Sequence, residues 1–118
     1  MAVGLDLDQY QLKRRVLLVF APRPEDARYE EQHDYLRVGE DLLEEWRVLV
    51  FGIFEEGPSF AEDRAVSHED AQRAREWFGL EAGAFGLRLL DLDGTEILLS
   101  SEPLPVEDLI DVVEAKAG

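Results

Sequence analysis

The sequence predicts one α/β domain over residues 1–118, with the element order β-α-β-α-β-β-α. Two continuous apolar runs, Val16–Ala21 and Val48–Phe54, are typical of parallel strands covered on both faces. The stretch between them has a helical pattern and is long enough for one crossover helix. Asp93-Gly94 marks a later hairpin, because glycine supplies the positive φ of its turn. We therefore expect a four-stranded mixed sheet with helices on both faces.

Helical spacing predicts the segment between the two parallel strands. Over residues 26–45, the residues that recur at steps of three and four are Tyr29, Gln32, Leu36, Gly39 and Leu43. A glycine inside such a helix indicates close packing or a kink. Residues 55–66 carry glycine, proline and scattered charge, which predicts a loop.

The second half of the chain adds two helices and the hairpin. Ser67 predicts a helix start, because its hydroxyl can accept a first-turn N–H group. We expect Trp46 and Trp77 to cover the ends of their helices or the sheet. Two short strands, Leu87–Leu92 and Thr95–Ser100, flank the hairpin turn. The apolar face of the last helix consists of Val106, Leu109, Ile110 and Val113.

Composition excludes several classes of function. The chain has no cysteine, which rules out disulfides, thiol catalysis and cysteine-bound metals. It has 27 acidic and 12 basic residues, and the net charge of -15 repels nucleic acids and anionic membranes. We therefore expect neither as a partner. No apolar run approaches the length of a membrane span.

The start of the chain bears on its compartment. Residues 1–12 include Asp6 and Asp8 and lack the order of basic, apolar and small residues that is typical of a signal peptide. We expect a cytoplasmic protein, or a periplasmic one if an export signal has been removed.

Four short motifs are spread along the chain. They are Tyr10-x-Leu12-x-x-Arg15, Tyr29-x-x-Gln32-x-x-x-Leu36, Glu45-x-Arg47 and the Asp93-Gly94 hairpin. With the element order, these motifs resemble the thioredoxin superfamily, and more narrowly a family of small, uncharacterised bacterial thioredoxin-like domains. The resemblance spans nearly the whole chain. It implies a thioredoxin-like fold and brings no activity with it.

The chain departs from those relatives where they carry out their chemistry. Thioredoxins place Cys-x-x-Cys after the first strand, at the start of the next helix. The peroxiredoxin motif Pro-x-x-x-Thr-x-x-Cys is matched here only by Pro22, with Asp26 and Tyr29 at the other two positions. Where thioredoxin-like enzymes place a cis-proline, this chain has Gly83-Ala84-Phe85-Gly86. Thiol oxidoreductase activity is therefore excluded, and glutathione binding is not expected.

The vacated thiol position still offers groups for binding. The candidate binding residues are Pro22, Arg23, Asp26 and Tyr29, because ligands of open α/β sheets bind at the C-terminal ends of the strands. Tyr29 either donates a hydrogen bond to a ligand or packs with its hydroxyl at the rim.

Aromatic residues near the strand ends suggest a second kind of surface. Phe54, Phe60 and Phe85, together with Pro58, are candidates for an exposed apolar patch that would bind a partner or a second copy. The alternative is that these side chains fold back on the core.

The remaining motifs that resemble catalytic or metal sites are incomplete. Asp91-Leu92-Asp93-Gly94-Thr95 resembles the first motif of haloacid-dehalogenase phosphatases, but the further residues of that site are not recognisable. The same stretch is an incomplete calcium loop. His33 and His68 lack a third recognisable zinc ligand. We predict no catalytic residue, no metal ligand and no cofactor.

Two functions remain open from the sequence. The preferred one is a redox-inactive thioredoxin-like domain that acts as a binding or protein-interaction module, with an unidentified protein or a second copy as its partner. The alternative is a small ligand- or divalent-cation-binding protein, or a weak enzyme, with its site at the C-terminal ends of the parallel strands.

Overall fold

The computed structural model describes residues 13–117, with side chains for residues 13–116. The predicted leading segment at residues 1–12 lies outside the described residues. The strands are β1 (Arg15–Ala21), β2 (Val48–Phe54), β3 (Ser59–Ala61), β4 (Arg64–Val66), β5 (Gly86–Leu90) and β6 (Glu96–Ser100). The helices are α1 (Ala27–Val38), α2 (Glu40–Glu45), α3 (His68–Trp77) and α4 (Val106–Ala117).

Strand β1 lies at the centre of the sheet. It pairs in parallel with β2 and antiparallel with β5. All residues from Val16 to Ala21 are buried, as the continuous apolar run predicts. The parallel pairing needs a crossover, which α1 and α2 provide. The predicted hairpin is also present as β5 and β6, with Gly94 at a φ of 85° in its turn.

The sheet has six strands in the order β4-β3-β2-β1-β5-β6, so the expected number of four is wrong. The additional strands, β3 and β4, form a hairpin beside β2, in the segment where the sequence predicts a loop. Each has only 3 residues. Such strands are too short for alternating hydrophobicity to show in the sequence.

Helices cover both faces of the sheet. Leu17 and Val19 of β1 belong to the core under α1, α2 and α4. Leu18 and Phe20 belong to a separate core under α3. This division follows from the period of two along a strand, which sends neighbouring side chains to opposite faces.

Gly39 explains why the predicted helix over residues 26–45 is two helices. It separates α1 from α2, with its N–H group donating to the carbonyl of Tyr35. A Cβ atom added at Gly39 would lie 2.5 Å from the Cβ of Val106. The glycine therefore allows α4 to approach the junction, so that both the break and the close packing occur.

Helix α3 leaves part of its sheet face open. Trp77, at the end of α3, is 58% exposed, and Leu99 of β6 is 61% exposed. Trp77 is thus only partly buried, and its side chain borders an open groove beside β5 and β6. Trp46 does pack against the core. Among residues 13–117, no helix is long and apolar enough to cross a membrane.

Candidate functional site

The vacated thiol position lies where the chain leaves β1. The parallel pairing of β1 and β2 continues past the strands: the N–H of Glu55 donates to the carbonyl of Ala21 at 3.3 Å, and that of Glu56 to the carbonyl of Pro22 at 2.9 Å. Arg23 forms a long ion pair with Glu56 at 3.9 Å, and both side chains are mostly exposed. The main chain at Pro22 is therefore held against the segment that follows β2.

Asp26 caps α1 with its carboxylate. Its Oδ1 accepts the N–H of Arg28 at 2.9 Å and also the Nε–H of the same residue at 2.9 Å, while Oδ2 accepts from the guanidinium at 2.9 Å. This arrangement stabilises the helix start, where unpaired N–H groups favour a negative charge. The hydrogen bonds from Arg28 hold the pKa of Asp26 below its ordinary 3.8.

Replacing Asp26 with asparagine removes the negative charge but keeps an oxygen atom that can cap α1. Asparagine retains the capping oxygen, so we expect D26N to lose only about 0.5–1 kcal/mol at neutral pH. Because the pKa of Asp26 is lowered on folding, the stability from its charge is present above pH 3.8 and is lost as the pH falls through the folded pKa. Urea unfolding at successive pH values should therefore show wild type and variant converging in acid.

The matched control is D34N, which removes a carboxylate from the same helix. Asp34 pairs with Arg37 at 3.5 Å, with both side chains about two-thirds exposed. We expect this change to have little effect at any pH, because solvent screens exposed pairs. A constant difference between D26N and wild type down to strong acid would contradict the role of the Asp26 charge.

Arg28 also reaches the loop that precedes β5. Its guanidinium donates to the carbonyl of Gly83 at 3.0 Å and lies over the ring of Phe85, 5.9 Å from the ring centroid. Phe85 is 3% exposed. Arg28 thus connects the start of α1 with the segment in which the resemblance leads one to look for a cis-proline. No cis peptide bond occurs among the described residues.

Glu55 and Arg75 form further hydrogen bonds to the same loop. The N–H of Gly83 donates to Oε1 of Glu55 at 2.6 Å, and Arg75 donates to the same oxygen at 3.1 Å. Arg75 also donates to the carbonyls of Ala21 at 3.3 Å and Glu81 at 2.9 Å. Its side chain is only 4% exposed, and burial lowers its pKa. We call Arg28, Glu55, Arg75 and Gly83 the loop clamp.

The loop clamp uses both backbone groups of Gly83. Its N–H serves Glu55 and its carbonyl serves Arg28. The φ of Gly83 is 77°, a conformation that residues with a Cβ atom rarely adopt. The N–H and carbonyl groups of Gly83 are therefore both occupied and are not available together to pair with an extended ligand.

Tyr29 is buried. It is 8% exposed, and its ring meets that of Phe54 edge-on at 4.8 Å between centroids. Burial raises the pKa of its hydroxyl. The ring also forms one wall of an open groove of about 510 Å³, whose other lining residues are Pro24, Glu30, His33 and Asp34.

The aromatic patch expected from the sequence does not form. Phe54 is 2% exposed and Phe85 is 3% exposed, while Phe60 is partly buried against the core. Phe54 lies between Tyr29 and Phe60, whose ring centroid is 6.5 Å away. These side chains fold back on the core, which was the alternative interpretation.

No metal cluster occurs in the part of the chain that the structure describes: residues 13–117 contain no group of three or more histidine, aspartate or glutamate side chains that could hold an ion. His33 lies on α1 and His68 begins α3. Asp93 instead shapes the hairpin, because its carboxylate accepts the N–H of Thr95 at 2.9 Å.

Sequence reasoning identified Asp26 and Tyr29 but not the loop clamp. One signal was available for Arg75: it stands four residues after Ala71, on the inward face of α3, where a charged residue is unusual. Glu55, directly after β2, is an acid at the C-terminal end of a parallel strand. No local pattern could have shown that both residues meet at Gly83, which lies on a distant loop.

The fold, together with the absence of cysteine, defines a thioredoxin-like domain without the reactive thiol. A reduced 2-Cys peroxiredoxin of Plasmodium vivax is similar in structure, with a TM-score of 0.69 and 16% identity, over 94% of this chain and 82% of that one. Thioredoxin peroxidase I of Plasmodium yoelii has a TM-score of 0.67 and 18% identity, over 94% and 77% of the two chains. At this identity the similarity establishes the fold alone.

The sequence assigns the chain to a more specific group. It belongs to the family described as domain of unknown function DUF4174, whose profile matches residues 6–116. No curated protein matches the chain.

Proposed function

We propose that this chain is a redox-inactive thioredoxin-like domain that acts as a protein-interaction module. The observation that carries the proposal is the state of the vacated site. The sequence has no cysteine, Tyr29 is buried where the resemblance to the peroxiredoxin motif leads one to look for the cysteine, and both backbone groups of Gly83 are used internally. A domain that has this fold but lacks the thiol can still bind other proteins through its surface.

The proposal is also supported by where apolar side chains meet solvent. Among the described residues, every buried side-chain nitrogen or oxygen atom has a hydrogen-bond partner, so none is left free in the interior to bind a ligand. By contrast, Trp77 and Leu99 are more than half exposed, on the side of the sheet opposite to Tyr29. Exposed apolar groups beside a groove are common at protein-binding surfaces.

Two measurements on the purified 118-residue chain test this function. We expect neither reduction of insulin disulfides nor consumption of hydrogen peroxide above a buffer blank. We also expect the immobilised chain to retain a protein from its source lysate, and the purified retained protein to bind again in a two-component assay. Turnover in either redox assay, or failure of every retained protein to bind again, would contradict the proposal.

A second function is favoured by the groove beside Tyr29. This groove of about 510 Å³ lies near the C-terminal end of β1, where ligands of α/β sheets bind, and carries Glu30, His33 and Asp34. A ligand at 100 times its Kd would add about 2.7 kcal/mol to the free energy of unfolding. Thermal unfolding against small amines tests it: a shift absent from H33A would support this site, and a panel without shifts would contradict it.

A further inference from the structure

The two edges of the sheet differ in their protection. Strand β4 has 3 residues and begins with the exposed Arg64, directly after Glu62 and Asp63. Short, charged strands of this kind discourage pairing with another chain. At the other edge, β6 has 5 residues, and its central residues Ile97, Leu98 and Leu99 are all uncharged. Its pairing with β5 has a bulge at Ile97 and is regular from Leu98 to Ser100. Among residues 13–117, no strand pairs with the outer side of β6.

A groove lined by both apolar and charged side chains, the latter being Arg88 and Glu96, adjoins the open strand. It has a volume of about 370 Å³ and is lined by residues including Trp77, Phe78, Leu90 and Leu99. Leu99 belongs to β6 itself, so a strand added to this edge would bring alternate side chains to the groove. Backbone pairing and side-chain packing are therefore available at one place, which is the combination that strand-addition sites use.

The charges around this edge indicate the chemistry of the occupant. Arg88 is the one basic residue lining the groove in the described chain, and it is 8% exposed. It donates to the carbonyls of Leu87 at 3.0 Å and Phe78 at 3.1 Å, and lies 3.6 Å from the carboxylate of Glu96. Arg88 is thus committed within the domain.

Acidic residues lie at both ends of the open strand. Glu96 begins β6, Glu102 follows shortly after its end, and Glu76 is next to Trp77 on α3. Glu96, which also pairs with Arg88, and Glu102 thus flank a strand whose middle is uncharged, while Glu76 lies on α3. A second copy of the chain would bring its own net charge of -15, whereas basic side chains would complement these acids.

We propose that the outer edge of β6 binds an extended, basic segment of a partner protein, which joins the sheet as a further antiparallel or parallel strand. Apolar side chains of this segment would pack beside Trp77 and Leu99, and lysine or arginine side chains near its ends would meet Glu96 and Glu102. The inference rests on the proposed interaction function and names the chemistry of the partner.

The probe is a capped synthetic peptide of alternating valine and threonine with a lysine at each end. It is titrated into the isotope-labelled 118-residue chain, and binding is followed by amide hydrogen exchange and NMR shifts. We expect slowed exchange at alternate N–H groups of Ile97–Ser100, because antiparallel and parallel ladders both use alternate groups on one side of a strand. Binding should weaken as salt is added, since salt screens opposite charges.

Two peptide controls separate backbone pairing from charge. N-methylation of every peptide residue between the two lysines removes the N–H donors from both edges of the peptide and keeps both lysines, and we expect it to abolish binding. A peptide with glutamate in place of each lysine should bind at least about tenfold more weakly. Equal binding of the three peptides, or no binding of the first, would overturn the proposal.

Two protein variants each introduce a lysine at an exposed aliphatic residue. L99K places a charge in the groove and on the edge, and we expect it to weaken peptide binding by about tenfold or more. V38K is the control, because Val38 is 84% exposed on α1 and away from β6. It should leave binding within about twofold of wild type. Similar binding losses in both variants would contradict a site at β6.

Two observations on the chain without peptide would show another occupant and overturn the proposal. One is a doubled mass by light scattering that L99K returns to the mass of a single chain. The other is strong protection of the outward β6 amides in a monomer. If lysate partners bind L99K and wild type equally while the peptide does not bind, this inference fails and the interaction function stands. If no partner binds again, the interaction function fails instead.

Discussion

R75M should lower the free energy of unfolding by about 3–5 kcal/mol, the range for breaking a buried ion pair from one side. Arg75 has a side chain only 4% exposed, and it joins the end of β1, the Glu55 carboxylate and the loop before β5. Methionine can fill the space of the aliphatic stem. It cannot satisfy the two carbonyls or the carboxylate, which would remain in a partly buried site.

The measurement is equilibrium unfolding in urea with R73M as control. Arg73 lies on the same helix and pairs with Glu69 and Asp70, but its side chain is 55% exposed. The same substitution there should cost less than about 1 kcal/mol, as is usual for exposed pairs. Hydrogen exchange adds a local readout: the N–H of Gly83 should exchange faster in R75M alone. Equal losses in the two variants would contradict a structural role for the loop clamp.

Q32L is expected to have the second largest effect, about 2–4 kcal/mol, because two backbone groups lose their partners. Gln32 is fully buried on α1. Its amide nitrogen donates to the carbonyl of Leu104 at 2.9 Å, and its amide oxygen accepts the N–H of Leu104 at 2.8 Å. The side chain thus pairs with the segment between β6 and α4 as a strand would. Leucine preserves the size and removes both bonds.

The control is Q72L, an identical change on α3. Gln72 makes one long hydrogen bond, 3.4 Å to the carbonyl of Glu55, so we expect a loss below about 1 kcal/mol. Thermal or urea unfolding of the two variants gives the comparison. A Q32L protein as stable as wild type would show that water replaces the glutamine without penalty.

The sequence predicts the centre of this fold well, for a physical reason. The residues of β1 are covered on both faces, and such strands must be apolar throughout. The stripe of α1 is equally informative: Tyr29, Gln32 and Leu36 are buried, as their spacing predicts. The turn at Asp93-Gly94 depends only on local backbone preferences, which a sequence carries directly.

What the sequence leaves open depends on distant partners. Strands β3 and β4 are short and are formed by pairing beside β2, so their own residues give little signal. The burial of Phe54 and Phe85 follows from neighbours on α1. The loop clamp joins Arg28 of α1 and Arg75 of α3 to Glu55 and Gly83, which lie in two separate loops. Contacts of this kind are properties of the tertiary structure, and no spacing rule contains them.

The unequal edges of the sheet set a limit on assembly. Polymerisation by strand addition requires two open edges on each molecule, one to join the growing end and one to receive the next subunit. Among the described strands, β4 and β6 lie at the two edges, but β4 is short and begins with a charged residue, so β6 is the edge suited to pairing. A molecule of this shape can be extended once, so any pairing at β6 ends in a complex of fixed stoichiometry and does not propagate into a fibre.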